Sequence, residues 1–151
     1  MQNILVIFEA TGESTEGLAL ALGLGAVQEG ANIRLRHLNP SSTAKLAHQS
    51  YGRLKADDLR WAEGMAIVLE TAEPAALGEI VQNLDLFTEN RDAVSRIVYV
   101  TGDNAVEGSV RDLREKFKRA GLRLLREEMT DSTTNLALMT QIGQRLAQEK
   151  P

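Results

Sequence analysis

Ile4-Leu5-Val6-Ile7-Phe8-Glu9-Ala10-Thr11-Gly12-Glu13-Ser14-Thr15 joins five consecutive apolar residues to a polar, glycine-containing turn. A continuous rather than alternating apolar run is the mark of a strand buried on both faces, the condition of interior strands in a parallel sheet. Met65-Ala66-Ile67-Val68-Leu69 and Ile97-Val98-Tyr99-Val100 share the pattern. Ile33-Arg34-Leu35-Arg36-His37-Leu38 and Leu122-Arg123-Leu124-Leu125-Arg126 interleave arginines with aliphatics, which predicts half-exposed strands at the sheet edges.

Helical patterns separate these strands. Leu77, Ile80, Val81 and Leu84 fall on one helix face, as do Val106, Val110, Leu113 and Phe117. Thr15 to Gln28 reads as a helix despite Gly17, Gly23 and Gly25, each costing about 1 kcal/mol against alanine, so close packing on the sheet is expected there. Gly30 is its stop. A short helix could start at Pro40-Ser41-Ser42-Thr43, another helical piece spans Ala56 to Glu63, and Asp131 or Ser132 could cap a last helix carrying Leu136, Met139, Gly143 and Leu146.

Alternating strands and helices predict a doubly wound α/β sandwich of three layers with right-handed crossovers. With the second and fifth strands at the edges, the five-stranded parallel sheet takes the order 2-1-3-4-5. Residues 1–151 form a single domain on this reading, as the length of 151 residues suggests. Ligands of such sheets bind beyond the carboxyl ends of the strands where the order reverses, here between strands one and three. The residues following Phe8, Leu69 and Val100 are therefore the ones that could carry chemistry.

Composition narrows the chemistry. At 43% hydrophobic and 25% charged the chain can build a core, and 17 basic against 21 acidic residues leave a formal charge of −4 that repels nucleic acid. Six aromatic side chains offer few stacking platforms. The absence of cysteine excludes disulfides, thiolate metal sites and cysteine nucleophiles, and two histidines argue against a histidine-rich metal centre. The Ile4 to Phe8 run is too short for a signal sequence or a membrane span, so a cytoplasmic protein with no membrane partner is expected.

Thr11-Gly12-Glu13-Ser14-Thr15 brings hydroxyls and a glycine to a helix start, where unpaired N–H groups attract anions. Ser14 or Thr15 acting only as a helix cap is the other reading of the same residues. The segment resembles the first loop of the flavodoxin-like flavoproteins, T/S-x-T-G-x-T, which wraps the FMN phosphate. Thr11, Gly12 and Ser14 fall on its last three defined positions, and Glu9 stands in place of its first hydroxyl. Inward-pointing carboxylates of Glu9 and Glu13 would oppose a dianion.

Ala56 to Gly64, leading into strand three, is similar to the corresponding approach in the NAD(P)H:quinone oxidoreductase relatives of flavodoxin. In the loop after it, Glu70-Thr71-Ala72-Glu73-Pro74, Thr71 and a displaced proline match the flavin-contacting loop of that group. Thr101-Gly102-Asp103 resembles the end of a G-x-G-D segment, with a plain turn before a helix as the competing reading. The resemblance implies non-covalent FMN held by Thr11, Gly12, Glu13, Ser14, Thr15, Thr71, Ala72, Gly102 and Asp103. It further implies electron or hydride transfer with NAD(P)H as donor, and a redox protein or small molecule as acceptor. No catalytic side chain is required. Since neither Thr71 to Ala76 nor Gly102 to Val106 contains an aromatic, the flavin ring is expected to be more exposed than in a flavodoxin, unless a homodimer partner covers it. A flavodoxin-fold interaction module without flavin or enzymatic activity is the alternative.

The remaining charged groups read as structural. Asp57-Asp58 and Glu127-Glu128 look like solvated surface pairs, and His37 like a partly exposed structural residue. Arg34 and Arg36 could bind a nicotinamide 2′-phosphate but fit better as outward charges guarding an edge strand. Trp61 is expected as a core anchor under strand three.

Overall fold

A computed structural model describes residues 2–9, 13–38, 52–70, 74–83, 97–102, 106–125 and 136–148. Its strands are β1 (Asn3–Glu9), β2 (Asn32–Leu38), β3 (Gly64–Leu69), β4 (Ile97–Gly102) and β5 (Arg123–Leu124). The helices are α1 (Glu13–Gln28), α2 (Ala56–Trp61), α3 (Pro74–Gln82), α4 (Glu107–Arg119) and α5 (Leu136–Gln148). The strands form one parallel sheet in the order β2-β1-β3-β4-β5, as the edge argument anticipates.

Side chains alternate across this sheet and divide the core in two. Leu5, Ile7, Met65, Ile67, Leu69, Val98 and Val100 meet α2, α3 and α4 through Leu59, Ala76, Ile80, Val110, Leu113 and Phe117. On the other face Ile4, Val6, Phe8, Ala66, Val68 and Tyr99 meet α1 and α5 through Ala19, Leu22, Ala26, Met139, Ile142 and Leu146. Every residue of β3 is buried, which is why its sequence shows no alternation.

The glycines of α1 serve two different neighbours. Gly23 lies against Ile33 and Leu35 of the sheet, as expected, whereas a Cβ on Gly25 would land on the Thr140 carbonyl of α5 and a Cβ on Gly143 on the Leu22 carbonyl of α1. The two helices thus meet backbone to backbone, each through its own glycine. Gly30 ends α1 at φ 85°, with Ala31 N–H donating to the Ala26 carbonyl at 3.1 Å, the six-to-one bond of a Schellman stop.

Several surface readings change. Asp58 is not solvated: it is 4% exposed, and its carboxylate takes Arg34 Nη1 and Arg36 Nε at 3.2 Å each, and the Lys55 N–H at 3.0 Å. The two arginines therefore turn inward from β2 instead of guarding its edge, because α2 sets a buried anion beneath them. Arg34 also stacks over Trp61, 4.3 Å from the ring centre, so Trp61 is half-buried beside the core and capped by a cation. Leu136, placed on the apolar face of the last helix by its spacing, is exposed. His37 is half-buried and pairs through its backbone with Gly52 and Leu54. Pro40 to Thr43, Leu84, Glu127, Glu128, Asp131 and Ser132 lie outside the described residues.

Candidate functional site

The carboxyl ends of β1, β3 and β4 lie side by side, with Val68 paired to Thr101 and Leu69 to Gly102. β1 crosses to β2 on one side, and β3 lies on the other, so the reversal of strand order falls between β1 and β3. The first turn of α1 opens on the same end. Thr15 fixes it there by donating its hydroxyl to the Glu9 carbonyl at 2.8 Å. A threonine hydroxyl has one hydrogen, so Thr15 can accept from a ligand at this position but has no proton left to donate to one.

Glu9 spans the reversal. Its side chain is 2% exposed, and its Oε1 accepts the backbone N–H of Glu70 at 2.7 Å, tying the end of β1 to the residue after β3. The acid thus does at this point what a backbone carbonyl does along a sheet.

Glu16, the fourth residue of α1, is 3% exposed, and among the described residues its Oε2 is a buried oxygen without a hydrogen-bond partner. Helical side chains lean toward the helix N-terminus, which carries this carboxylate over the first turn of α1. A buried acceptor without a donor is costly unless something supplies one. Residues 9–16 hold three glutamates and no lysine or arginine.

At the β4 end Thr101 is buried, and Arg114 donates from Nη2 to the Val100 carbonyl at 2.6 Å. Burial raises the Tyr99 phenol above its ordinary value of 10.0, against smaller downward pulls from its hydrogen bond with Thr101 and from the Arg114 charge. A Cβ on Gly102 would meet Val106 and Val110 at 2.8 and 2.9 Å and the Leu69 carbonyl at 3.2 Å. Gly102 is thus small because α4 and β3 crowd it, and Val106 fills that contact.

Of the residues expected at a flavin, Thr15 and Gly102 are placed at this end of the sheet by the contacts just given. Glu13 and Ser14 fall in the first turn of α1. Thr11, Gly12, Thr71, Ala72 and Asp103 lie outside the described residues. Sequence reading missed Glu16 and Glu70. Glu70 contributes only a main-chain N–H, which no side-chain pattern reveals. Glu16 did leave a signal, since it continues the buried series Ala19, Gly23, Ala26 backward at helical spacing.

The donor chemistry here distinguishes the parts of FMN. A phosphate dianion accepts hydrogen bonds and needs positive charge or free donors, whereas the described side chains offer the committed hydroxyl of Thr15 and the buried carboxylates of Glu9 and Glu16. Helix-end N–H groups remain, with a dipole favourable to anions. Those N–H groups are what the described residues offer a phosphate, and the hydroxyls of Thr11 and Ser14 lie outside the described side chains.

Among the described residues no group of three or more histidine, cysteine, aspartate or glutamate residues could hold a metal ion, and no helix is long and apolar enough to cross a membrane. No protein-family model matches the chain, and no curated protein matches it in sequence. Solved structures do match. Oxidised flavodoxin 1 from Bacillus cereus is similar at 17% identity with a TM-score of 0.69 over 99% of both chains. An archaeal flavodoxin is similar at 15% identity and a TM-score of 0.66 over 96% of both. An NAD(P)H:quinone oxidoreductase from Methanothermobacter marburgensis gives 12% identity and a TM-score of 0.53 over 97% of both. At such identities the likeness establishes a flavodoxin-like fold.

Proposed function

We propose that this chain binds a flavin non-covalently beyond the carboxyl ends of β1, β3 and β4 and serves electron or hydride transfer. The observation that carries this reading is the strand-order reversal between β1 and β3 with the first turn of α1 seated on it. It is the place where open α/β sheets take their ligands. Support comes from a fold shared end to end with proteins named as flavodoxins and as a quinone oxidoreductase.

A bound flavin supplies the redox chemistry through its isoalloxazine ring. The chain's own residues set the frame around it. The Glu9–Glu70 hydrogen bond holds the ends of β1 and β3 in register, the Thr15–Glu9 bond holds α1 on β1, and the Val106 and Val110 contacts at Gly102 hold the end of β4. None of these groups needs to exchange a proton with substrate. A nicotinamide nucleotide as donor, and a quinone-like molecule or a redox protein as acceptor, are the partners this reading takes.

Titration of the purified protein with FMN and with riboflavin, followed by quenching of flavin fluorescence, tests it directly. Saturable quenching by either flavin, followed by flavin-dependent oxidation of NADH or NADPH, is the expected result. Absence of binding by both at millimolar concentration would refute the reading and leave an interaction module of flavodoxin-like fold.

A further inference from the structure

Between Gly17 and Val27, α1 carries no polar side chain, so it is apolar around its whole circumference. Ala19, Leu22 and Ala26 pack on the sheet, and Gly25 lies against α5. Leu20, Leu24 and Val27 face outward, between 42% and 55% exposed, and Leu136 of α5 joins them beside Gly17 at 58%. An ordinary surface helix turns charges outward, as α4 does with Glu107, Arg111, Asp112 and Glu115. A continuous apolar patch of roughly a few hundred Å² on a protein surface marks a place of contact.

The spacing of the stripe selects a helix as its cover. Gly17, Leu20, Leu24 and Val27 step by three, four and three residues, the a/d seam along which one helix packs on another. Leu136 lies where Gly17 leaves the seam without a side chain. Charge then selects which helix. Residues 17–27 hold no charge that would call for an oppositely charged partner or repel an identical face, so the stripe is complementary to itself, as a two-fold interface requires. Residues 9–33 contain no lysine or arginine, whereas a helix lying on a membrane surface carries basic residues along its polar face.

We propose that two copies of this chain pair through α1, antiparallel about a two-fold axis near Leu24, with Leu136 at each end of the contact. Glu13 holds the next seam position toward the helix start, seven residues before Leu20, so parallel pairing would bring the two Glu13 positions together. Antiparallel pairing separates them and sets each helix start beside the other's end, which suits both dipoles. Leu20 of one copy then meets Val27 of the other. The pairing goes beyond the flavin reading and does not depend on it. Because α1 begins at the ligand end of the sheet, the two ligand ends fall at opposite ends of the paired helices, and neither copy covers the other's.

So narrow a seam is the core of a small interface, for which dissociation in the micromolar range is expected. Sedimentation equilibrium of the full chain from about 1 μM to about 1 mM tests this. The average mass should rise from that of one chain to that of two. Leu24→Glu, at an exposed position beside the axis, should leave Tm unchanged and weaken association about tenfold or more, since each pair then holds two like charges at its centre. Mixing Leu24→Glu with Leu24→Lys in equal amounts should restore it. A wild-type chain that stays monomeric at about 1 mM would overturn the proposal whatever the variants do. In that case binding to phosphatidylcholine vesicles would assign the stripe to a lipid surface, and a Tm lowered by Leu24→Glu would assign it to a segment of the same chain. A folded Leu24→Glu protein that pairs as tightly as wild type would overturn the assignment to α1.

Discussion

Replacing Gly143 with alanine sets two known effects against each other. Alanine gains about 1 kcal/mol over glycine in a helix interior through backbone entropy. At Gly143, however, the added Cβ would fall on the Leu22 carbonyl of α1 and approach the Ala26 nitrogen to 3.0 Å. These are backbone atoms in a helix and cannot rotate away, so α1 and α5 must move apart. Such a movement loosens the fully buried side chains of Leu22, Ala26, Met139, Ile142 and Leu146 that seal one face of the sheet. Overpacking costs about 1–3 kcal/mol even where side chains can adjust, and here none can.

The steric term therefore wins, and Gly143→Ala should destabilise the protein by roughly 2 kcal/mol or more, lowering Tm by about 4–8 °C for a chain of this size. Gly78, inside α3, has nothing within 4 Å of its Cβ position. Only the propensity term acts there, and Gly78→Ala should stabilise by about 0.5–1 kcal/mol. Gly25→Ala should behave like Gly143→Ala, and the double variant should cost less than the sum, since one separation of the helices accommodates both methyls. Urea denaturation followed by far-ultraviolet circular dichroism measures all four. A Gly143→Ala protein as stable as wild type, or equal signs at Gly143 and Gly78, would show that the two helices do not meet as described.

Asp58→Ala should cost about 2–3 kcal/mol in the same assay, less than a fully buried pair because Arg34 and Arg36 stay partly hydrated, and Asp58→Asn should cost about half as much; an unaffected Asp58→Ala protein would mean the cluster contributes nothing. Thr15→Val, which keeps the volume but leaves the Glu9 carbonyl without its donor, should cost about 1–2 kcal/mol, and no loss of stability would break the argument for that bond. The Tyr99 phenol is raised by burial, so its neutral form is favoured by folding: that contribution is intact below the unfolded value near 10 and is lost as pH rises through the folded value. Tyrosinate absorbance in a Tyr51→Phe background should appear later in an alkaline titration than in the unfolded chain, and Tyr99→Phe should flatten the stability loss above pH ~10; ionisation at the unfolded value would remove the burial argument.

The sheet was legible because its strands differ in burial, and burial writes itself into composition. Ile4 to Phe8, Met65 to Leu69 and Ile97 to Val100 are apolar on both faces, while Arg34, Arg36 and Arg123 mark the strands that are not. That contrast marks the edge strands, and the preference of consecutive strands for adjacent places supplies the rest of the order. What the arginines do was not legible. An outward charge and a charge folded onto a buried carboxylate look alike in sequence, and only the arrival of α2 beneath β2 puts Asp58 within 3.2 Å of both guanidiniums. The same holds for Gly25 and Gly143, more than a hundred residues apart in the chain, whose smallness is explained only when α1 and α5 are seen to touch.

The candidate site was legible as a position on the sheet and not as a chemistry. A glycine turn after a buried strand and before a helix locates the ligand end of the sheet whatever its polar residues are. The charge this end of the sheet presents depends on where Glu9 and Glu16 point. Strand alternation sends Glu9 to the same face as Leu5 and Ile7, toward the end of β3, where it finds the Glu70 N–H. Helical spacing sends Glu16 to the side of α1 that carries Ala19 and Ala26 against the sheet. Each period could be counted in the sequence. The consequence, two carboxylates kept out of solvent on opposite faces of the sheet where β1 gives way to α1, required both counts together with the bond from Thr15 that fixes the helix on the strand. A chain built to hold a phosphate at this point would be expected to place donors there. Here, among the described residues, those donors are the main-chain N–H groups that open α1, not side chains.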